Sequence, residues 1–283
     1  MVERHRWLDA ISHGLLIMGV LAIVFPIYLA LVGSTHSAQE MAQAPIPIWF
    51  GQEAWNNYKT VLMGEGPGVS SQVPVARMMW VSLVSAMCIA VGKIVISLLS
   101  AFALVYFKFP YRQAVFWGIF VTLMLPVEVR IVPTYQVIAD FGMVNSFAGL
   151  TIPLIASATA TFLFRQFFLT VPDELAEAAK MDGASPMRFF WDVLLPLSRT
   201  SIAALFVIQF IYGWNQYLWP LLMSTEERMY PIVMGIRSMT AGAEAQVQWN
   251  LVMATAILAM LPPALVVVLM QKWFVKGLVD TEK

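Results

Sequence analysis

Charge is what this sequence has least of. Lys and Arg number 17 and Asp and Glu 17, together only 12% of 283 residues. A soluble domain carries about 25%. The two signs cancel, so no basic excess points to nucleic acid. Cysteine occurs once, at Cys88, which excludes an internal disulfide and a zinc site built on cysteine spacing. Inside its apolar run Cys88 reads as a small buried hydrophobe. The histidines are His5, His13 and His36, all early in the chain. An intramembrane enzyme would need a nucleophile and base, or metal ligands, inside its spans, and no such cluster is present. The phosphate-cradling pattern G-x-x-x-x-G-K-[ST] is also missing, so the chain does not read as an ATPase. Internal repeats and low-complexity segments are absent as well.

What the sequence has is apolar length. Hydrophobic residues make 59% of it, and mean hydropathy is +0.73. Six runs are long enough to span a bilayer, at about 11–32, 78–105, 114–138, 148–168, 200–223 and 250–272. They predict an all-α polytopic membrane protein whose residues 1–283 form a single transmembrane domain, because a lone strand in lipid leaves its backbone polar groups unsatisfied. The short alternating segments of a β-barrel are not seen. The run from Ile11 to Val32 is longer than a signal-peptide core, so it reads as a retained first helix. With the N-terminus placed in the cytoplasm, 11 of the 17 Lys and Arg fall on inside segments, including Arg4, Arg6, Lys108, Arg112, Lys180 and Arg188. Only Lys59, Arg77, Arg228 and Arg237 fall outside, a bias that puts both termini in the cytoplasm. The outer loops 33–77 and 224–249 hold interfacial aromatics and mixed charge, and either is able to meet an extracytoplasmic partner.

One polar stretch interrupts the apolar half: DELAEAAKMDGASPMRFF, residues 173–190. Thr170, Pro172 and Asp173 predict an N-cap, a first-turn proline and an acidic residue near N3. Gly183 suits the left-handed residue that stops a helix. Ser185 and Pro186 repeat the cap-and-proline start, and a second helix runs through Phe189 and Trp191 to Pro196. On physical grounds alone the hairpin is either a plain connector or a stiff knob for docking.

Glu177-Ala178-Ala179, then Gly183, then Val193 and Leu195-Pro196 resemble the EAA motif of bacterial ABC-importer permeases. The motif's usual isoleucine is Val193 here. The segments 123–138, 210–222 and 261–278 are similar to spans of carbohydrate-type permeases related to the maltose transporter. The tail GLVDTEK, Arg130 and SATATFLFRQFF at 157–168 narrow the resemblance to permeases of sn-glycerol-3-phosphate importers. At Val81-Ser82 this chain departs from the family, where an asparagine commonly precedes the serine.

The resemblance implies a type I importer fold in the bacterial inner membrane. It implies a second permease subunit, an ATPase dimer that binds the ATP and Mg, and a periplasmic substrate-binding protein, with no cofactor in this chain. It makes Glu177, Ala178, Ala179, Met181, Asp182, Gly183, Val193, Leu195 and Pro196 the ATPase-coupling residues. It also implies that substrate is held mainly by the other permease subunit.

Ionisable groups within spans are costly and should face protein or a water-filled cavity. Glu128 and Arg130 lie between Pro126 and Pro133, a spacing that predicts a kinked or unwound third span. Arg130 is either paired structurally or receives a phosphate, which its planar fork matches with two parallel bonds. Glu128 would then hold Arg130 in the empty site or meet substrate hydroxyls. Lys93 reads as paired with a carboxylate across the bundle. Tyr212, Asn215 and Gln216 are pathway candidates, since rings and amides suit a polyol, whereas Trp219 and Pro220 read as interface anchors. A permease of the same family for a neutral sugar is the alternative reading.

Overall fold

The computed structural model describes residues 6–64, 73–122, 127–240 and 247–279, with the side chains of 6, 8–10, 127, 128 and 272–279 excepted. Among the described residues every element is helical. The chain forms two compact units, one of Met1–Arg77 with Gly235–Leu261, the other of Met78–Met234 with Pro262–Lys283.

The first unit begins with α1 (Arg6–Gly33), which is apolar nearly all round. Leu15 and Ile23 are each 70% exposed, so this helix does not bury its apolar surface within the chain. Beyond it the chain turns through α2 (Ala38–Met41) and α3 (Ala54–Met63). A polar knot fixes this turn. The Asn57 amide donates to the carbonyls of Ser34 and His36 at 2.9 and 2.8 Å. It also accepts from Asn250 at 3.0 Å, at the start of α15 (Trp249–Val279). His36 contacts the Trp49 carbonyl through Nε2 at 2.8 Å and Glu40 through Nδ1 at 3.0 Å. The Trp49 carbonyl, and after it the Glu40 carboxylate, hold the His36 pKa above its ordinary 6.5 against the opposing effect of burial. The Ser37 amide, then His36, hold Glu40 below its ordinary 4.5.

The second unit is organised by α4 (Val75–Tyr106), half of whose apolar window is buried. Around it run α5 (Arg112–Val121), α6 (Val127–Asp140), α7 (Phe147–Thr151) with a 3-10 turn to Leu154, α8 (Ala158–Thr170), α12 (Arg199–Trp214) and α13 (Leu218–Met223). One core gathers Phe102, Phe164, Phe168, Phe189, Phe190 and Leu194. The other joins Val81, Ile89, Leu150, Trp219 and Met223. Trp219 is therefore core rather than an interface anchor: it is 3% exposed and its indole donates to the Gly149 carbonyl at 3.0 Å. An indole with a buried acceptor in reach gains both packing and a hydrogen bond there. Ser82 is 1% exposed and accepts from the Ile232 amide at 2.8 Å, so its hydroxyl ties α4 to the start of α14 (Ile232–Thr240). Cys88, expected inside, is exposed on α4.

Among the described residues, three helices are long and apolar enough to cross a membrane: Ile11–Gly33, Val75–Tyr106 and Trp249–Gln271. Two further candidates are bent pairs, Phe147–Leu154 with Ala158–Thr170 at 48° and Pro186–Leu197 with Arg199–Trp214 at 73°. The fourth apolar run is thus a broken helix. Pro153 lacks an amide proton, and Ser157 restarts the helix by accepting from the Ala160 amide at 3.3 Å. The fifth run breaks too, at 215–217, between α12 and α13. In the third run, residues 123–126, Pro126 among them, lie outside the described residues. Pro133 does not unwind its segment but sits inside α6, where the Thr134 hydroxyl adds a bond to the Arg130 carbonyl at 2.7 Å.

Candidate functional site

Two features stand out in the second unit: a polar cleft and an exposed helical hairpin. The cleft has a volume of about 550 Å³. Lys93 and Ser100 of α4, spaced seven apart, fall on one helix face and line it. Gln209 and Tyr212 do the same from α12, three apart. Arg130 of α6 and the broken stretch Pro153–Ala158 complete the wall. Irregular backbone at such a place is tolerated where it lines a cavity. The break that serves the cleft is thus the one after Pro153.

Lys93 is only 7% exposed. Its ammonium donates to the Gln209 side-chain oxygen at 3.0 Å and lies 3.7 Å from the centre of the Tyr212 ring. The expected carboxylate partner is replaced by an amide and a π face: no described carboxylate meets it. A ring face attracts a cation without neutralising it. Gly213 permits this approach of α12 to α4, since a Cβ there would fall 2.9 Å from the Ala86 Cα.

Of the residues singled out in the sequence, Arg130 and Tyr212 line the cleft together. Asn215 closes α12 as its exposed C-cap, and Gln216 turns back to donate to the Tyr212 carbonyl at 3.1 Å; neither lines the cleft. The Glu128 side chain lies outside the described residues. Lys93, Gln209 and Ser157 were not assigned to a pathway by sequence reasoning. The available signal was a polar residue recurring at helical spacing within an apolar run.

The hairpin is built from local bonds. Thr170 does not cap it: it remains in α8 and its hydroxyl donates to the Phe167 carbonyl at 2.7 Å. Pro172 takes the N-cap position of α9 (Asp173–Met181) without a side-chain bond, and Asp173 and Glu174 occupy the first turn near the positive helix end. At the other end Gly183 has φ 72°. Its amide donates to Lys180 at 3.0 Å and that of Ala184 to Ala179 at 2.9 Å, the paired bonds of a Schellman stop. Ser185 then caps α10 (Pro186–Phe189) by accepting from the Arg188 amide at 3.3 Å. A π-turn, Phe190–Leu194, leads into α11 (Leu195–Leu197).

Glu177, Ala178, Met181, Asp182 and Gly183 are exposed, Met181 at 83%. Ala176, Ala179, Val193 and Leu195 pack on the aromatic core, and Pro196 is half-buried. The hairpin therefore rests on one face and presents the other.

The fold is that of an ABC-importer permease. It matches the crystal structure of a bacterial ABC transporter involved in import of the acidic polysaccharide alginate, with TM-score 0.78 and 21% identity, over 95% of this chain and 97% of that one. Residues 93–280 match the family described as "Binding-protein-dependent transport system inner membrane component", and the chain belongs to that family. It is 57% identical over 283 residues, 100% of both chains, to the "sn-glycerol-3-phosphate transport system permease protein UgpE" of Pectobacterium atrosepticum. Identity is also 57%, over 285 residues and 100% of both chains, to the protein of the same name from Rhizobium meliloti.

Proposed function

We propose that this permease carries sn-glycerol-3-phosphate, or its diesters, by alternating access driven by a separate ATPase. The observation that carries the reading is the end-to-end identity of 57% to permeases named for sn-glycerol-3-phosphate transport. The cleft supports it, because Arg130 and Lys93 line a space otherwise walled by hydroxyls, the Gln209 amide, the Tyr212 ring and apolar side chains. A guanidinium suits phosphate oxygens, and the neutral groups suit a glyceryl moiety. In this reading Arg130 receives the phosphate and Tyr212 packs against the glyceryl carbons, with Glu128, Asn215 and Gln216 further along the pathway.

The exposed face of α9 is the coupling surface. Glu177, Ala178, Met181 and Asp182 enter a groove of the ATPase dimer, while Ala179, Val193, Leu195 and Pro196 transmit its movement to the aromatic core. A helix already folded before docking loses little entropy on binding. The ATPase dimer binds ATP and Mg. A second permease subunit and a periplasmic substrate-binding protein complete the assembly in the inner membrane, with both termini of this chain cytoplasmic.

The test is uptake of labelled sn-glycerol-3-phosphate by cells whose only copy of this permease is supplied on a plasmid. The chain should restore uptake. Arg130→Ala should lower it on the order of 10–100-fold at unchanged membrane level, as loss of a charge-assisted contact implies. Restored uptake of a neutral sugar and none of the phosphate would overturn the reading.

A further inference from the structure

We propose that Lys93 is a second phosphate-binding cation beside Arg130, and that the pair makes the cleft favour a phosphate monoester dianion over a monoanionic diester. The inference rests on the reading of this chain as an sn-glycerol-3-phosphate permease.

Lys93 is 7% exposed near the middle of a long apolar helix. A buried ammonium is costly unless a negative charge or a full set of acceptors meets it. It has three N–H donors, and the structure supplies one neutral acceptor, Gln209 Oε1 at 3.0 Å, and one ring face, Tyr212 at 3.7 Å. These groups aim the ammonium without neutralising it. The described titratable groups lining the cleft are Lys93, Arg130 and Tyr212, with no carboxylate or histidine among them. Two cations with no described counter-ion repel each other, so the empty cleft is poised for an anion. The missing charge arrives with the substrate.

The charge count sets the preference. A phosphate monoester has its second ionisation near pH 6 and carries about −1.5 to −2 at neutral pH. A diester carries one charge. Arg130 offers a fork that matches either. Lys93 offers a compact point charge, which the second negative charge of a monoester satisfies and a diester leaves partly unmet. Gln209 is then a positioning residue, and the Tyr212 ring, besides meeting the glyceryl carbons, helps hold Nζ toward the cavity.

The experiment uses the complete importer reconstituted in proteoliposomes, with the binding protein saturated so that delivery does not limit. Maximal rates are compared for sn-glycerol-3-phosphate and for glycerophosphoglycerol, a diester. Lys93→Gln should lower the monoester rate about tenfold and the diester rate less than about threefold. Lys93→Arg should restore the preference. An equal fall for both substrates, or no fall, overturns the proposal, since a purely structural lysine would not change the ratio.

A second measurement needs no variant. In the unaltered complex the monoester-to-diester rate ratio should drop severalfold from about pH 7.5 to about pH 5, as the monoester gains its proton. A constant ratio overturns the proposal even if Lys93→Gln does not assemble. Failure of the wider reading looks different: the unaltered complex would move neither phosphate.

Discussion

The hairpin and the cleft belong to the same unit and are built in opposite ways. The hairpin is held by bonds between residues three to five apart, such as Ser185 to Arg188 and Ala184 to Ala179. It turns its charged side chains outward and sits on an aromatic base. The cleft is held by contacts such as Lys93 to Gln209, which are 116 residues apart. It turns its charged side chains inward. A local structure keeps its shape when pushed from outside, which suits a lever. A site assembled from separate helices changes shape when those helices move, which suits a gate.

The comparison can be broken at either end. The largest effect should come from Gly183→Pro. Proline cannot adopt φ 72° and lacks the amide that bonds Lys180. An incompatible proline costs about 3 kcal/mol, which reduces the native hairpin on the order of 100-fold. Transport and binding-protein-stimulated ATP hydrolysis should fall accordingly, while the thermal midpoint of the purified complex moves by only a few degrees, because the unfolding entropy of a large assembly dilutes a local loss. Unchanged stimulation would show that the hairpin does not couple.

Gly213→Val should do the reverse, with a smaller effect. Its Cβ would press on the Ala86 backbone, so α12 must move away from α4. Such overpacking costs typically about 1–3 kcal/mol, and it separates Gln209 from Lys93. The thermal midpoint should drop, and transport should weaken while the purified permease still binds its ATPase. Unchanged stability would mean that α12 does not depend on this close approach.

The smallest effect concerns the His36 knot, outside both features. The folded pKa of His36 is raised, so its contribution is complete below about 6.5 and is lost as pH rises through the higher folded value. The folded pKa of Glu40 is lowered, so its contribution is present above about 4.5 and is lost as pH falls through the folded value. Amide exchange around residues 34–51, corrected for intrinsic rates, should be slowest between those limits. Neither transport preference nor hairpin coupling should follow that profile.

The hairpin was largely legible because its signals are short-range. Gly183, Ser185 and Pro186 do in the structure what their residue types demand. The one miscarried cap, Thr170, failed because α8 carries its helical geometry through that residue. The cleft was half legible. Arg130 and Tyr212 stood out as polar residues in apolar runs. The role of Lys93 depended on what faces it, and no spacing rule connects residue 93 to residue 209. Trp219 was misread for the same reason, since its acceptor on Gly149 is 70 residues away. The break after Pro153 was missed because an apolar run reads the same whether its helix is straight or bent.

Composition and local pattern by themselves determined that this chain is a helical membrane protein with one stiff polar hairpin, because transfer from water and helix capping act over a single segment. Tertiary structure alone decided which charges share a cavity. Burial of an ammonium is a property of its surroundings, and those surroundings come from helices far apart in the sequence.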